Sequence, residues 1–493
     1  MTTNVLFVSA EAAPFAKVGG LADVVGSLPQ ALRKLDIDAR LILPHYGFIS
    51  DEKYKIVPAF DFEFPRVTGV SDVYVFTTEY DGVPIYFVQA WPFFGNETSV
   101  YTEWNWDVPR YLFFNQVAMA VAWELKGREG WFPDVFHVHD WHTGLIPFLI
   151  SESRRDPLWA QTASVVSIHN MAYQGDHTGG WLWQLGIAGR HHPELVSRGL
   201  TDNLLAMSIA YADMVSTVSP RYATEIQYPY MGYGLDELVR TRVSDLAGIL
   251  NGLDVDYWNP ATDPLLVSNY TADDFEERRL LNKREMQRES GLEVRDDIPM
   301  IGIVSRFVKQ KGFDLALPAL RRLLADTEVQ FVALGTGEPD LEYQFWRLGK
   351  DFYWRAKVYQ GFNAAIAQRI YAACDMFLMP SHFEPCGIGQ MVAMRYGSLP
   401  VVRETGGLAD TVQNYDNGAG DVGTGFVFQW EQPDAVLGTL RWAIDVYYTR
   451  KDVWRRMQRR AMQTEFSWEK SARAYADVYR RALEKHRGHM TVP

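Results

Sequence analysis

The same order of predicted elements occurs twice in this 493-residue chain, and that repeat constrains the fold more than any other feature. In each half, an apolar run is followed by a loop containing glycine or lysine, an amphipathic stretch and a second apolar run. The first set covers residues 5–10, 11–20, 21–35 and 39–43, and the second covers 300–305, 306–311, 313–324 and 329–334. Strand–helix–strand order favours parallel sheets with right-handed crossovers. The sequence therefore predicts an α/β fold built on two such series.

Five further apolar runs have the character of buried strands. They are short, rich in β-forming residues and bounded by polar residues or by glycine and proline, which is typical of parallel sheets. These runs cover residues 135–138, 164–168, 214–218, 376–379 and 399–402. Ligands of open α/β sheets bind beyond the carboxyl ends of the strands, so the polar residues after these runs are the candidates for a functional site.

The chain is long enough for more than one core, since 47% of its residues are hydrophobic. A turn-rich stretch at 251–260 separates the two series and predicts an N-terminal domain over 1–250 and a second domain over 251–465. The charged stretch 273–289 predicts a solvated helix at the start of the second domain. Residues 466–493 predict a helix that crosses back toward the first domain, with Trp468, Ala472, Tyr475 and Tyr479 at helical spacing.

Charge and cysteine content exclude several classes of function. The formal net charge of −13 argues against nucleic acid or an anionic membrane surface as the main partner, because both attract basic faces. Only Cys374 and Cys386 occur, without the spacing of a metal finger, which fits a reducing cytosol. No basic leader and no uncharged span of ~20 residues is present. A cytoplasmic location without a membrane segment is expected.

Three loops are candidates for binding an anion. Lys17 lies before the glycine pair at 19–20 and a predicted helix, where free amide groups and the helix dipole favour a pyrophosphate. Taken alone, this loop is better explained as a glycine turn with a surface lysine. However, Arg306 and Lys311 follow a strand of the second series, and Thr405 precedes another glycine pair at a helix start. Cations in such positions can neutralise charge that develops on a leaving diphosphate.

A carboxylate, Glu384, follows the apolar run at 376–379 within a segment that also contains Ser381 and Cys386. It could hydrogen-bond the hydroxyls of a sugar, and it could equally be the N-cap of the next helix. Cys386 has no evident base beside it and is interpreted as a packed thiol.

The sequence argues against a metal site. His137 and His139 fall on one face of a predicted strand and His142 follows, but no distant Cys/His pair completes a set of ligands. The Asp pairs at 36/38 and 254/256 lie beside turn residues, where aspartate is common for capping.

The motifs in these segments closely resemble those of bacterial glycogen synthases and of plant and cyanobacterial starch synthases. They run in order from near the N-terminus to Trp468 and cover almost the whole chain. The matching motifs are Lys17-Val18-Gly19-Gly20-Leu21-Ala22-Asp23, His139-Asp140-Trp141-His142, the segment from His169 to Gly175, Leu250-Asn251-Gly252, Ser305-Arg306 with Gln310-Lys311-Gly312, Glu384-Pro385-Cys386-Gly387, and the segment from Thr405 to Thr411.

The resemblance implies a GT-B architecture, in which two Rossmann-like domains face each other across a cleft. It implies transfer of glucose from ADP-glucose to the non-reducing 4-hydroxyl of an α-1,4-glucan or maltooligosaccharide, with retention of the α configuration. It also implies that no metal and no cofactor is needed, since ADP-glucose is a substrate.

The resemblance assigns roles residue by residue. His169, Arg306, Lys311 and Glu384 are implied to be catalytic. Residues implied to bind the donor are Lys17, Gly20, Asp23, Asn170, Asn251, Phe362, Cys386, Gly387, Thr405, Gly406 and Gly407. Residues implied to line the acceptor channel are Glu11, His139, Asp140 and Trp141.

The chain departs from the family pattern at two positions. Many retaining GT-B enzymes carry a second glutamate eight positions after the first, and here that position is Val392, with Gln390 the nearest polar residue. This disfavours a covalent glucosyl-enzyme and favours substitution on the same face of the sugar. Phe362 stands where a tyrosine often stacks on adenine, so stacking is kept and a hydroxyl is lost.

Two alternatives remain at the level of sequence. One is a sucrose-synthase-like enzyme that uses UDP-glucose and a small acceptor. The other is a glucan-binding scaffold with weak or no catalysis, which the presence of Lys17, His169, Arg306, Lys311 and Glu384 disfavours.

Overall fold

The computed structural model describes residues 2–187, 189–417 and 422–490 and divides into two compact units. The first unit consists of the chain up to Gly252 together with the chain from Trp468 onward, and the second unit is Leu253–Ser467. The boundaries predicted after residues 250 and 465 each differ from this division by two residues. The α/β class is confirmed, with a largely parallel sheet in each unit.

Nine strands form the sheet of the first unit in its described part, in the order β3-β4-β5-β2-β1-β6-β7-β8-β9. The strands are β1 (Thr3–Val8), β2 (Ile37–Pro44), β3 (Val57–Arg66), β4 (Gly69–Tyr80), β5 (Val83–Gln89), β6 (Val135–His139), β7 (Ala163–Ile168), β8 (Met214–Thr217) and β9 (Leu246–Gly248). The helices are α1 (Gly20–Arg33), α2 (Asp51–Tyr54), α3 (Trp104–Glu129), α4 (Ile146–Glu152), α5 (Gly179–Gln184), α6 (Pro193–Arg198), α7 (Leu204–Tyr211), α8 (Pro220–Glu225), α9 (Pro229–Gly232), α10 (Asp236–Thr241) and, from the far end of the chain, α19 (Trp468–Met490).

The central strands of this sheet are parallel and buried, as their continuous apolar runs predict. Residues 5–8 of β1 are fully buried, and β1 pairs in parallel with both β2 and β6. Because these strands all end at one edge of the sheet, the residues that follow β1, β6 and β7 are brought close together.

One side of the sheet is extended by antiparallel strands that the sequence analysis did not predict. Strand β3 pairs with β4 and β4 with β5 in antiparallel registers, and β3 is the last strand on that side. Half-buried and exposed residues alternate along β3, with Phe60, Phe62 and Phe64 on one face.

Helix α19 completes the core of the first unit. Tyr475 and Tyr479 are buried, and the Tyr479 hydroxyl lies 2.8 Å from Nδ1 of His137 in β6. Lys34, just after α1, pairs with Glu469 at the start of α19 at 3.0 Å. The first unit is thus built from the two ends of the chain.

The second unit contains a parallel sheet in the order β12-β11-β10-β13-β14-β15. The strands are β10 (Met300–Val304), β11 (Gln330–Gly335), β12 (Ala356–Gln360), β13 (Met376–Met379), β14 (Leu399–Arg403) and β15 (Phe426–Phe428). The helices are α11 (Phe275–Ser290), α12 (Phe313–Asp326), α13 (Pro339–Asp351), α14 (Ala364–Ala373), α15 (Gly389–Arg395), α16 (Gly406–Thr411), α17 (Pro433–Thr449) and α18 (Lys451–Met462).

The charged helix α11 differs from its prediction as a solvated helix. Arg279 and Lys283 are buried, and the Lys283 ammonium lies 2.8 Å from the carboxylate of Asp375. The Arg279 guanidinium donates to the backbone carbonyls of Cys374 and Tyr396. These buried cations are tolerated because each has partners that replace water. Helix α11 therefore buries two of its charged side chains and packs against α14.

None of the helices in the described ranges is both long enough and apolar enough to cross a membrane.

Candidate active site

The loop after β1 is organised by a buried carboxylate. Oε2 of Glu11 accepts hydrogen bonds from the backbone amides of Val18 (2.7 Å) and Gly19 (2.9 Å), and Oε1 accepts one from the Tyr101 hydroxyl at 2.5 Å. Only 3% of Glu11 is exposed. The Glu11 carboxylate therefore holds the loop, and its place in an acceptor channel stays a prediction.

This contact also corrects the prediction of a free anion-binding amide at Gly19, whereas the prediction for Gly20 stays a prediction. Two of the amides in this loop are already bonded to Glu11, so they are not open to a pyrophosphate. Lys17 is the exposed cation of the loop and pairs with Asp23 of α1 at 2.6 Å. A Cβ added at Gly20 would meet no atom within 4 Å, so the loop surface around it is open.

A second cluster follows β6 and β7. Asp140 adopts a left-handed backbone conformation (φ 52°), and its Oδ1 accepts hydrogen bonds from the amides of His169 (2.7 Å) and Asn170 (3.5 Å). His139 Nδ1 lies 3.0 Å from His169 Nε2. The fully buried His139 therefore positions His169, and the place of His139 in an acceptor channel stays a prediction. The Trp141 ring is buried 5.5 Å from the ring of Trp104.

Burial sets the charge state of this cluster. It lowers the pKa of His169 to about 3 and holds the pKa of His139 well below its ordinary value, so both rings are neutral near pH 7. Burial also raises the pKa of Asp140 to about 7, against the opposing effect of the two amide hydrogen bonds. His169 can thus offer hydrogen bonds, but no positive charge, to a bound sugar.

The raised pKa of Asp140 predicts a pH-dependent stability. The folded protein keeps this proton between the ordinary pKa of 3.8 and about 7, whereas the unfolded chain loses it. The stabilisation is therefore complete below the ordinary pKa and is lost as the pH rises to about 7, by roughly 1 kcal/mol per pH unit. Asp140→Asn keeps an oxygen for the two amides but does not titrate. Denaturant unfolding at pH 5, 6, 7 and 8 should show the wild type falling relative to this variant up to about pH 7, and parallel curves would contradict the assignment.

Asn251 is the last candidate residue of the first unit. It follows β9, it is buried, and its Oδ1 atom has no hydrogen-bond partner within the described part of the chain. An unpaired buried amide oxygen is costly, and such a group commonly awaits a ligand.

In the second unit, the loop after β10 and the loop after β13 meet at an ion pair. The Lys311 ammonium lies 2.6 Å from Oε2 of Glu384, and the side chains are only 17% and 8% exposed. The Ser381 hydroxyl donates to the same oxygen at 3.1 Å. Arg306 is exposed at the end of β10, and its guanidinium makes no ion pair with any residue that the structure describes. Two cations and one carboxylate thus lie at the carboxyl ends of β10 and β13.

The Gly406-Gly407 pair packs directly on the Glu384 loop. A Cβ at Gly406 would lie 2.0 Å from the Glu384 carbonyl oxygen, and one at Gly407 would lie 2.0 Å from that of Cys386. The Gly407 amide donates to the Glu384 carbonyl at 3.0 Å. The prediction that this pair offers free amides to an anion is corrected for Gly407, whose amide is used internally. Thr405, before α16, lies beside this contact and is buried.

The neighbouring residues hold this loop in place. Gln390 is buried, and its amide nitrogen donates to the carbonyls of Cys386 and Gly387 at 3.0 Å. Val392 is packed in the core with 1% exposure. Neither can act as a nucleophile on a sugar. Phe362, after β12, is 89% exposed and leaves an aromatic face open.

The structure therefore collects the predicted residues into two groups, one in each unit. Tyr101 and Ser381 were missed by the sequence analysis, although each bonds to a predicted carboxylate. Tyr101 lies 90 residues from Glu11 in sequence, and no local pattern links the two. No group of three or more His, Cys, Asp and Glu side chains within the described residues could hold a metal ion.

Comparisons with known proteins show which family the chain belongs to. Residues 4–241 match the family described as starch synthase catalytic domain, and residues 284–460 match glycosyl transferases group 1. Glycogen synthase 1 of Geobacter sulfurreducens is 41% identical, over 98% of this chain and 97% of its own length. Glycogen synthase of Streptococcus sanguinis is 40% identical, over 97% of this chain and its own full length.

Solved structures agree in fold as well. The catalytic domain of starch synthase IV from Arabidopsis thaliana, bound to ADP and acarbose, superposes with a TM-score of 0.87 at 30% identity and covers 98% of this chain and 100% of its own. Sucrose-phosphate synthase from Thermosynechococcus elongatus matches with a TM-score of 0.61 at 15% identity and covers 98% of this chain and 99% of its own, which supports the fold alone.

Proposed function

Since this chain belongs to the family of glycogen and starch synthases, GT-B enzymes that transfer glucose from ADP-glucose to a glucan, we propose that it extends the non-reducing 4-hydroxyl of an α-1,4-glucan with retention of configuration. The glucosyl transfer follows from the family membership. The observation that supports the site is the largely buried Lys311–Glu384 pair in the second unit, in which Arg306 also follows the end of β10.

In this proposal Arg306 and Lys311 bind the diphosphate of the donor. Fixed cations at the point where negative charge develops lower the barrier, and they need no reorganisation during the reaction. Glu384 accepts hydrogen bonds from the glucosyl hydroxyls. The Glu384 carboxylate already pairs with Lys311 at 2.6 Å, so one contact fixes both the sugar and the phosphate side of the donor.

The residues of the first unit are assigned to the sugar and the acceptor. Lys17 is the exposed cation proposed to contact the donor, with Asp23 holding its ammonium. His169 and Asn170 are proposed to contact the reacting sugar, and Trp141 the acceptor. Asp140 and His139 act through His169, since both bond to it.

The chemical step is a substitution on one face of the sugar. The bond between C1 of glucose and the β-phosphate oxygen breaks, and its electron pair leaves with ADP. The acceptor O4 forms the new bond to C1 from the same side and passes its proton to the departing phosphate oxygen. No carboxylate nucleophile is invoked, because Val392 occupies the position where one would be expected and Gln390 is tied to the loop backbone.

The proposed function is tested with purified protein, ADP-glucose or UDP-glucose, and either maltotetraose or fructose as the acceptor, in buffer with and without EDTA. Proton NMR of the first products should show an α-1,4 linkage, made faster from ADP-glucose and at the same rate with EDTA. A β-linked product would rule out retention. A glucosyl-enzyme trapped and seen by mass spectrometry would rule out the same-face mechanism, and transfer only to a small sugar such as fructose would favour the UDP-glucose alternative.

Phe362 provides a separate test of donor binding. Because its ring is 89% exposed, Phe362→Ala should fold normally. Loss of one stacking contact to a base costs about 1–3 kcal/mol, so KM for ADP-glucose should rise by about 5- to 150-fold while kcat changes little. Phe362→Tyr should retain the affinity. Trp354, which is 51% exposed in the same unit, gives a control variant Trp354→Ala with unchanged KM. An unchanged KM in Phe362→Ala would remove this residue from the donor site.

A further inference from the structure

The loop that carries Glu384 contains a histidine whose ring lies between two carboxylates. Nε2 of His382 lies 2.8 Å from Oδ1 of Asp314, and Nδ1 of the same ring lies 3.1 Å from Oε2 of Glu431. The His382 side chain is 27% exposed, and both carboxylates are half-exposed. Each nitrogen of this imidazole therefore has its own acidic partner.

The two carboxylates belong to different elements of the second unit. Asp314 is in the first turn of α12, and Glu431 lies between β15 and α17. His382 itself follows β13, so its ring joins three segments that are far apart in sequence. A polar network in which every member has a partner is rigid. The bridge from Asp314 through His382 to Glu431 therefore fixes the start of the loop after β13.

The backbone beside His382 is bonded to the loop that carries Lys311. The His382 amide donates to the carbonyl of Gln310 at 2.9 Å, and the Gln310 side chain donates to the carbonyl of Phe383 at 3.2 Å. Lys311 follows Gln310, and its ammonium pairs with Glu384 at 2.6 Å. A shift of His382 would therefore disturb the Lys311–Glu384 pair.

Arg403 is the third charged group in contact with this bridge. It is the last residue of β14, and its guanidinium donates to the backbone carbonyls of Ser381 and His382. It also pairs with Glu431 at 3.2 Å. One carboxylate of the bridge is thus shared between His382 and a cation of the sheet.

The bridge needs a proton on both ring nitrogens. An ionised carboxylate only accepts hydrogen bonds, so each nitrogen that faces one must donate. A neutral imidazole has a single N–H, and its other nitrogen would direct a lone pair at a carboxylate oxygen 2.8 or 3.1 Å away. Only the imidazolium satisfies both contacts. Histidine is the side chain that ordinarily gains or loses such a proton between about pH 5 and 8.

We propose that His382 is a positioning residue for Glu384, and that it holds this carboxylate in place for glucosyl transfer only as an imidazolium. This role rests on the proposed function, in which Glu384 binds the glucosyl hydroxyls. His382 acts through the loop, because both of its ring nitrogens are engaged by Asp314 and Glu431. Loss of one proton breaks one of these contacts and loosens residues 381–384. Turnover is therefore highest where the ring is protonated, and it falls as the pH rises.

The test compares the wild type with His382→Arg and Asp314→Asn in the full chain. An arginine stays protonated at every pH used and offers N–H groups to both carboxylates. In Asp314→Asn, the new side-chain amide can donate to the ring nitrogen that lacks a proton, so a neutral imidazole keeps two partners. The two variants thus remove the need for the second proton in different ways. Asp314→Asn is an exposed change, which protects the test from a folding defect in His382→Arg.

The kcat with saturating ADP-glucose and maltotetraose is measured from pH 5.5 to pH 9. The ratio of the wild-type kcat to that of either variant should fall by about fivefold or more over this range, because a small displacement of a catalytic group is costly. KM for maltotetraose should stay within twofold of the wild type. Asp140, with its raised pKa of about 7, titrates equally in all three proteins, so its effect cancels in the ratio.

His191→Arg is the control for this pH profile. His191 is exposed in the other unit, and its side chain has no partner in the described part of the chain. The ratio of wild-type kcat to that of His191→Arg should be constant over the whole pH range.

Nitrogen NMR of the imidazole rings gives a second readout that does not depend on turnover. The His382 signals are identified by their loss in His382→Arg. They should show two protonated nitrogens at pH 5.5, and the loss of one proton should coincide with the fall in the kcat ratio.

A kcat ratio that stays constant within twofold for both His382→Arg and Asp314→Asn would overturn this role of His382. An equal fall in the ratio with His191→Arg, or a His382 proton lost without any change in the ratio, would do the same. A wild type that transfers no glucose at any pH would refute the proposed function itself.

Discussion

Lys311→Ala is expected to lower kcat by about 100- to 1,000-fold, the effect usually seen when one preorganised charge-stabilising donor is removed. The Lys311 ammonium is 17% exposed and contacts Glu384 at 2.6 Å, so its field acts in a poorly hydrated site. Lys309→Ala is the matched control, because Lys309 lies in the same 3₁₀ turn, Lys309–Lys311, but is exposed. It should keep wild-type turnover. Single-turnover kinetics with ADP-glucose and maltotetraose provide the measurement.

The same substitution also removes the cation that compensates a buried carboxylate. Breaking a buried ion pair on one side typically costs about 3–5 kcal/mol, so Lys311→Ala should lower the unfolding midpoint as well. The double variant Lys311→Ala/Glu384→Gln separates the two effects, since a neutral amide needs no cation. It should recover much of the stability and none of the activity. Near-normal turnover in Lys311→Ala, or activity recovered together with stability, would remove Lys311 from the chemistry.

Gly407→Ala is expected to be one of the most damaging single methyl additions in the second unit. Its Cβ would lie 2.0 Å from the Cys386 carbonyl oxygen and 2.5 Å from the Cys386 Cα, both backbone atoms. The loop that carries Glu384 must move, at a cost of about 1–3 kcal/mol for overpacking. Turnover should fall by about 100-fold or more, as is seen when catalytic groups are displaced by an ångström.

Gly438→Ala is the matched control for this substitution. Gly438 lies in the interior of α17, and an added Cβ there would meet no atom within 4 Å. Alanine is the better helix former by roughly 0.5–1 kcal/mol, so this variant should be slightly more stable and fully active. Thermal unfolding and turnover are measured for both. Wild-type activity in Gly407→Ala would show that the loop tolerates the displacement.

The positions of the candidate site residues after strands were predictable because they depend on local sequence. Lys311, Glu384 and the Gly406-Gly407 pair each follow a strand of a parallel sheet, and parallel strands end at one edge. The sequence pattern did not reveal the hydrogen-bond partner of each group. The Gly407 amide donates a hydrogen bond to the Glu384 carbonyl, and the Glu11 carboxylate accepts hydrogen bonds from the loop that contains Lys17. Both contacts depend on which loops become neighbours in space, and sequence spacing carries no information about that.

The sequence analysis did not predict the burial of α11. The charged stretch of α11 predicted a solvated helix, but Lys283 finds Asp375, which is 92 residues away. A count of charges along a helix cannot reveal a partner on another element.

Strands β3 and β4 were missed because half of their residues face solvent, so they lack the continuous apolar runs that marked the buried strands. Alternation at Phe60, Phe62 and Phe64 was the available signal.

The return of α19 to the first unit has a consequence for how the protein is made. Residues up to Gly252 leave the ribosome first, yet their sheet lacks the helix that buries Tyr475 and Tyr479 against His137 until the last segment emerges. The second unit is one continuous segment and can complete its core as soon as Ser467 is free. Domains usually fold in the order of synthesis. Here the unit begun first is the one finished last, so a nascent chain that stalls before Trp468 leaves the His169 side of the enzyme incomplete.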